Sequence, residues 1–550
     1  MTRLLRAVPG LTLALMAVPV AAGLAATLGP ALAPGALSAL LAWPGLPRAV
    51  TLSLTTGLAS TTLALAITLL ILATLRGTRA FAALLRLLSP LLSVPHAAAA
   101  LGLAFLIAPS GWIARALSPW ATGWTQAPDL LILNDPAGLS LTLGLVAKEV
   151  PFLLLMALAA WPQIAAPSRL TLAQTLGYGQ TAAFAFTVLP PLYRQLRLPV
   201  YAVLAYAMTS VEMGMILGPN LPPPLSVQVV GWMTEASLAQ RGTAAAGAAL
   251  QLVLVLAALA LWRGTEIAAR HGLTGMATAG LRLPGLDAPA RAVALAGGAA
   301  VTAGLIAGLA GLALWSVAGL WRFPAALPES LSLATWARAA PTLGPITGNT
   351  LGLALGSAGL ALILVTACLE AEHRFRLRPS APALWLLWLP LIVPQITFLP
   401  GLHRLALELG AGGFVAALAG HLVFVLPYVF LSLAPAWRAL DPRFATLAAS
   451  LGASPGRSLW TIRLPLLLRP LLTAFAVGFA VSVGQYLATL LLSGGRIATL
   501  TTEAVSLSSG GNRRLIGVYA LLQMALPALA FALALLVPAL LYRNRRGMAA

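Results

Sequence analysis

Thr171-Leu172-Ala173-Gln174-Thr175-Leu176-Gly177, followed twelve positions later by Leu189-Pro190, returns as Thr446-Leu447-Ala448-Ala449-Ser450-Leu451-Gly452 with Leu464-Pro465 at the same spacing. The copies lie 275 positions apart in a chain of 550, and 7 of the 20 residues aligned between 171–190 and 446–465 are identical. An ungapped match at half the chain length marks an internal duplication. Flanking landmarks keep the order. Pro151-Phe152 matches Pro427-Tyr428 at an offset of 276, Ser210-Val211 matches Ser482-Val483 at 272, and Val94-Pro95-His96 matches Val393-Pro394-Gln395 at 299. The first copy therefore holds 23 extra residues (299 against 276) in a loop around 109–137.

What is duplicated is apolar. Hydrophobic residues make up 60% of the chain and charged ones 8%, too little polar surface to cover a soluble globule of this size. A membrane-crossing helix needs about 20 mostly apolar residues. Twelve such stretches run near 8–28, 50–75, 88–108, 138–160, 199–218, 242–262, 292–316, 346–369, 382–400, 411–434, 471–493 and 515–541. The period-two alternation of a membrane barrel is missing. The expected fold is all-α and polytopic, about twelve transmembrane helices in two six-helix repeats. Six is even, so both copies share one orientation and are parallel, related by an axis along the membrane normal. The first half is expected over 1–270 (core about 50–262), a cytoplasmic linker over 271–290, and the second half over 291–550 (core about 346–541).

The net charge of +20 does not mark a nucleic-acid surface, because the basic residues are scattered singly through the interhelical loops. Topology accounts for them. With a cytoplasmic N-terminus, 23 of the 33 Lys and Arg fall inside, among them Arg3, Arg76, Arg169, Arg194, Arg263, Arg282, Arg374, Arg378, Arg438, Arg457, Arg543, Arg545 and Arg546, and nine fall outside. Lys148, the only lysine, sits within a span. This asymmetry puts both termini in the cytoplasm of a bacterial inner membrane. Residues 1–33 have signal-like features, with Arg3, Arg6 and the triplet Ala31-Leu32-Ala33, and are read as an uncleaved first helix. The single cysteine, Cys368, lies in an apolar run and has a packing role.

Each repeated segment reads as a short helix, a glycine, a second amphipathic stretch and a Leu-Pro at the next span. Gly177 and Gly452 permit a sharp turn with φ > 0, and Pro190 and Pro465 set the geometry of the helix that follows. The result is a hairpin projecting from the membrane. This pattern resembles the coupling loop of ABC importer permeases, E-A-A, three residues, G, then I-x-L-P. The resemblance makes Ala173, Leu176, Gly177, Leu189 and Pro190 one docking element for an ATPase subunit, and Ala448, Leu451, Gly452, Leu464 and Pro465 the other. The acidic position is Thr171 in one copy and Thr446 in the other, where threonine can cap a helix start instead.

Two such loops on one chain resemble the fused permeases of the thiamine and ferric-iron importer group. That likeness implies a type I importer core, two ABC ATPase subunits inside and a solute-binding protein outside. No G-x-x-x-x-G-K-[ST] phosphate loop occurs in the sequence, so the chain is not expected to be an enzyme or to bind a cofactor, and ATP and Mg belong to the partner subunits.

Ionisable residues inside spans are the pathway candidates. Glu212 leads, with Gln485 and Tyr486 at the matching place in the second half. Lys148 and Glu149 are adjacent on a helix, cannot face each other, and suit a structural network better than solute contact. His96 and Gln395 either line the pathway or satisfy carbonyls freed by Pro95 and Pro394. Met208, Met213 and Met215 read as packing rather than metal ligands, and the five histidines form no catalytic or metal motif. The rival reading is a twelve-helix secondary transporter. Its loop between spans two and three should carry an acidic motif, whereas Arg76-Gly77-Thr78-Arg79 has none.

Overall fold

The computed structural model describes residues 2–91, 93–235, 237, 240–377 and 379–543. Arg378, Arg545 and Arg546, counted above as inside charges, lie outside the described residues, as does the side chain of Arg3. The first half contains α1 (Thr2–Leu28), α2 (Leu46–Thr74), α3 (Arg79–Leu91), α4 (His96–Ile107), α5 (Leu139–Ala160), α6 (Ala166–Thr175), α7 (Leu189–Thr209), α8 (Val211–Leu217), α9 (Leu225–Thr234) and α10 (Gln240–Thr278). The second contains α11 (Asp287–Val317), α12 (Ala334–Phe375), α13 (Ala381–Ile392), α14 (Gln395–Glu408), α15 (Phe414–Ala439), α16 (Arg443–Ser450), α17 (Leu468–Val483), α18 (Leu487–Leu492), α19 (Leu500–Ser508) and α20 (Arg513–Leu541). Nine helical stretches among the described residues are long and apolar enough to cross a membrane, and three bent pairs raise the number to twelve. The chain is an all-helical, multi-pass membrane protein.

Four spans differ from the straight helices expected. The third, expected at 88–108, is interrupted between α3 and α4, and the ninth, expected at 382–400, turns by 90° between α13 and α14. Both new helices start directly after a proline, Pro95 and Pro394. A residue before proline is pushed out of the helical region, and Val393 is extended at φ −74°, ψ 127°. The fifth span bends by 50° at Ser210, which is extended and caps α8 by accepting from the Met213 amide. The eleventh breaks after α17, before Leu487. Proline at the third position and a helix break in the fifth thus recur in each copy.

The first helix of each half packs on the other half. α1 lies against α12, α13 and α14, while α11 lies against α2, α3, α4 and α20. Each exchange is a glycine crossing. A Cβ on Gly401 of α14 would overlap the carbonyl oxygen of Gly23 in α1, and one on Gly308 of α11 would sit 2.7 Å from the backbone of Gly102 in α4. Between helices in lipid, such close backbone approach supplies the van der Waals contact that drives association. The Thr27 hydroxyl adds a bond by accepting from the Gly401 amide at 2.8 Å. Within each half, matching hydroxyls cap matching helices: the Leu225 amide donates to Ser53 Oγ at 3.1 Å, and the Leu500 amide to Thr350 Oγ1 at 3.0 Å.

Candidate functional site

The two hairpins have the same backbone. α6 and α16 each end in a glycine of positive φ, +81° at Gly177 and +77° at Gly452. The Gly177 amide donates to Gln174 O and the Tyr178 amide to Ala173 O, while Gly452 donates to Ala449 O and Ala453 to Ala448 O. This paired bonding closes the helix ends as Schellman turns. A five-residue π turn follows in each copy, Phe184–Val188 and Leu459–Arg463, directly before the Leu-Pro. Proline cannot donate and crowds the carbonyl four residues back, and the wider π turn relieves both constraints.

Ala173 and Ala448 are buried, whereas Thr171 and Thr446 are exposed. The threonines do not cap. Thr171 lies inside α6 with its hydroxyl on Pro167 O at 3.1 Å, and Thr446 inside α16 with its hydroxyl on Pro442 O at 3.4 Å. Leu189, Pro190, Leu464 and Pro465 are half-buried where the chain re-enters the bundle. Outward, each hairpin presents apolar side chains: Leu172 and Leu176 (58% exposed) in the first, and Phe444, Leu447, Leu451 (79%) and Trp460 (72%) in the second. Clustered apolar exposure of this kind on a loop marks an interaction surface.

The second cluster lies in the bundle, where the halves meet. Glu212 accepts from the Tyr206 hydroxyl at 2.7 Å, and the Ser210 hydroxyl lies 3.1 Å from the same phenol oxygen. Tyr206 packs on the His96 ring at 4.7 Å between centroids, and His96 Nε2 stands 3.9 Å from Glu149 Oε1. From the second half, Tyr486 directs its hydroxyl at Met215 Sδ, 3.6 Å away. Gln485 and Gln395 are partly accessible at the two helix breaks of that half. Tyr206, Met215 and Asp287 were not singled out as site residues from the sequence. A tyrosine six positions before an intramembrane acid is the signal available for the first.

Lys148 and Glu149 part company. Lys148 Nζ donates to Val94 O at 2.6 Å and Leu91 O at 3.4 Å, the carbonyls freed by the interruption before α4. That backbone role had been assigned to His96 as one alternative, but the lysine fills it because its stem reaches across from α5. In the second half the Thr397 hydroxyl does the same for Pro394 O at 2.6 Å, so Gln395 is not needed there. A separate polar core lies in the second half: His421 bonds Ser482 Oγ at 2.7 Å and Thr489 Oγ1 at 2.9 Å, and Ser357 donates to Ser482 at 3.0 Å. With both ring nitrogens engaged, His421 ties α15 to α17 and α18, and Ser357 links α12 to the same serine.

No protein-family model matches the chain. It is similar over nearly its whole length to the inner membrane ABC transporter permease protein YnjC of Escherichia coli K12, with 32% identity over 527 residues, 95% of this chain and 94% of that protein. Shorter matches reach the molybdenum transport system permease protein ModB of Mycobacterium tuberculosis, 34% identical over 25% of this chain and 55% of that protein. The spermidine/putrescine transport system permease protein PotC of Haemophilus influenzae is 27% identical over 30% of this chain and 64% of that protein.

Proposed function

The chain belongs to the ABC transporter permeases, and from that premise we propose that it is the fused permease subunit of a binding-protein-dependent importer. It forms the solute pathway between its halves, and two ATPase subunits carrying ATP and Mg dock on α6 and α16 from the cytoplasm. A solute-binding protein delivers from the opposite side, and both termini are cytoplasmic. The observation that carries this reading is the duplicated hairpin. Two exposed apolar surfaces, each ending in a positive-φ glycine and followed by a π turn, have no internal packing role and are shaped to enter a cleft on a soluble partner. The fusion of two halves supports grouping with the thiamine and ferric-iron permeases. The names of the shorter relatives add molybdenum and polyamines as alternatives for the solute.

Leu176→Glu and Leu451→Glu test the docking surfaces. A charge on either exposed face leaves insertion of the bundle unaffected, so membrane abundance should stay normal while ATPase co-purification and uptake fall, the double variant most. Full ATPase retention in the double variant would return the chain to a reading without docked ATPases.

A further inference from the structure

We infer that the pathway between the halves is built for an organic cation, a solute of the amine or quaternary ammonium class. This rests on the importer reading and specifies its solute. The starting observation is Glu149. Its residue is 4% exposed, and its carboxylate accepts no hydrogen bond among the described residues, pairing only loosely with His96, whose Nε2 stands 3.9 Å away. A carboxylate inside the membrane bundle is costly, and such a group marks a substrate or ion path whose partner must be named. Lys148 acts on it through charge without a hydrogen bond, because its ammonium is directed at the carbonyls of Leu91 and Val94. Among the described residues Glu212, the second acid, accepts a hydrogen bond only from the neutral Tyr206 hydroxyl.

The two carboxylates bracket the tilted pair of His96 and Tyr206 rings, and Tyr486 and Met215 face one another beside Glu212. No arginine from either half makes a contact with this set among the described residues, and the one lysine nearby, Lys148, turns its ammonium to the carbonyls of Leu91 and Val94, so the two carboxylates outnumber the cation beside them. The neighbours also decide between kinds of cation. No group of three or more His, Cys, Asp or Glu among the described residues could hold a metal ion. Tyrosine rings and a thioether suit a soft, weakly hydrated cation, drawn by ring quadrupoles as well as by the two negative charges.

The test needs no knowledge of the solute. Met215 is 36% exposed and one helical turn beyond Glu212, so Met215→Cys in a Cys368→Ser chain places a thiol beside the proposed site. Its rates of reaction with a cationic and an anionic methanethiosulfonate are measured at low salt in membranes and divided by the same ratio for free cysteine. With native carboxylates the cationic reagent should be favoured on the order of tenfold. Glu212→Gln should lower that preference several-fold and Glu149→Gln with Glu212→Gln should abolish it, while Glu329→Gln, in the loop after α11, should not change it. A normalised ratio near one, or below one, with the native carboxylates overturns the cation assignment and leaves the importer reading standing. A thiol that neither reagent reaches overturns the cation assignment together with the pathway beneath it. The ATPase co-purification measurement answers separately for the docking surfaces.

Discussion

The two hairpins share a backbone and are held by different means. At the first, the linker between the halves folds back as a clasp: the Gly179 amide donates to Arg282 O at 3.0 Å, and Asp287 accepts from the Gln180 and Thr181 amides at 2.7 and 2.8 Å. At the second, Ser454 does the capping from within the hairpin, accepting from the Arg457 amide at 3.3 Å. Their roots differ as well. Glu266 on α10 gathers the Tyr193 hydroxyl and two arginines that are partly open to solvent, Arg197 and Arg263, whereas Glu370 on α12 holds the more enclosed Arg463 at 2.6 Å and Arg374 at 2.5 Å. Duplication preserved the shape of the hairpin and left each copy to find its own support. Fusion gave the first hairpin a prop that a separate subunit would lack.

Removing the strongest support should separate the copies most. Glu370→Ala leaves Arg463 unpaired in a nearly closed site, a loss of about 3–5 kcal/mol, and should raise amide exchange across 455–466 while 180–190 stays protected. Glu266→Ala, whose arginines are more open to solvent, should do less to the first hairpin. Equal responses would erase the distinction between the roots. Asp287→Ala deletes the two carboxylate bonds of the clasp and leaves the Gly179 to Arg282 bond, a loss of about 1.5–3 kcal/mol. Exchange should rise at 177–183 and not at 452–458, with ATPase association weakened on the first side alone.

Strain comes next. At positive φ a side chain costs about 1–2 kcal/mol, so Gly177→Val and Gly452→Val should both reduce uptake at normal membrane abundance. Gly452→Val should be the worse, because the clasp still holds the first hairpin in place. The reverse order would show that the linker contributes no orientation. Ser454→Ala removes one cap, at about 1 kcal/mol or less, and should be visible only as faster exchange at 455–458. A thiol label that reaches position 180 or 456 from outside intact cells would overturn the orientation on which all of these rest.

The repeat, the number of spans and the hairpins could be read from the sequence because each leaves a one-dimensional trace: an offset, a run of apolar residues, a glycine before a Leu-Pro. Helix exchange leaves none. Lipid-facing and helix-facing positions are both apolar, so nothing in α1 distinguishes a neighbour in its own half from α14, and Gly23 and Gly401 gain meaning only where they touch. Lys148 was legible as a polar anchor, but its acceptors depend on a break that the span reading had smoothed over. Glu212 could be found by residue type alone, whereas Tyr206 and Met215 become part of its setting through the bend at Ser210. The Asp287 clasp lies 106 and 107 positions from the amides it holds, a separation that motif reading does not bridge.

The crossed first helices set a schedule for synthesis. Gly23 is made 378 residues before Gly401 (401 − 23), and at about 5–20 residues per second that interval is on the order of tens of seconds. Throughout it, α1 waits in the bilayer with its glycine groove facing lipid or an insertion factor. The reciprocal crossing closes sooner, because Gly308 follows Gly102 by only 206 residues (308 − 102). The second half is therefore recruited to the first while its own third helix is still unmade, and the last clasp to shut is the one that brings the oldest helix home.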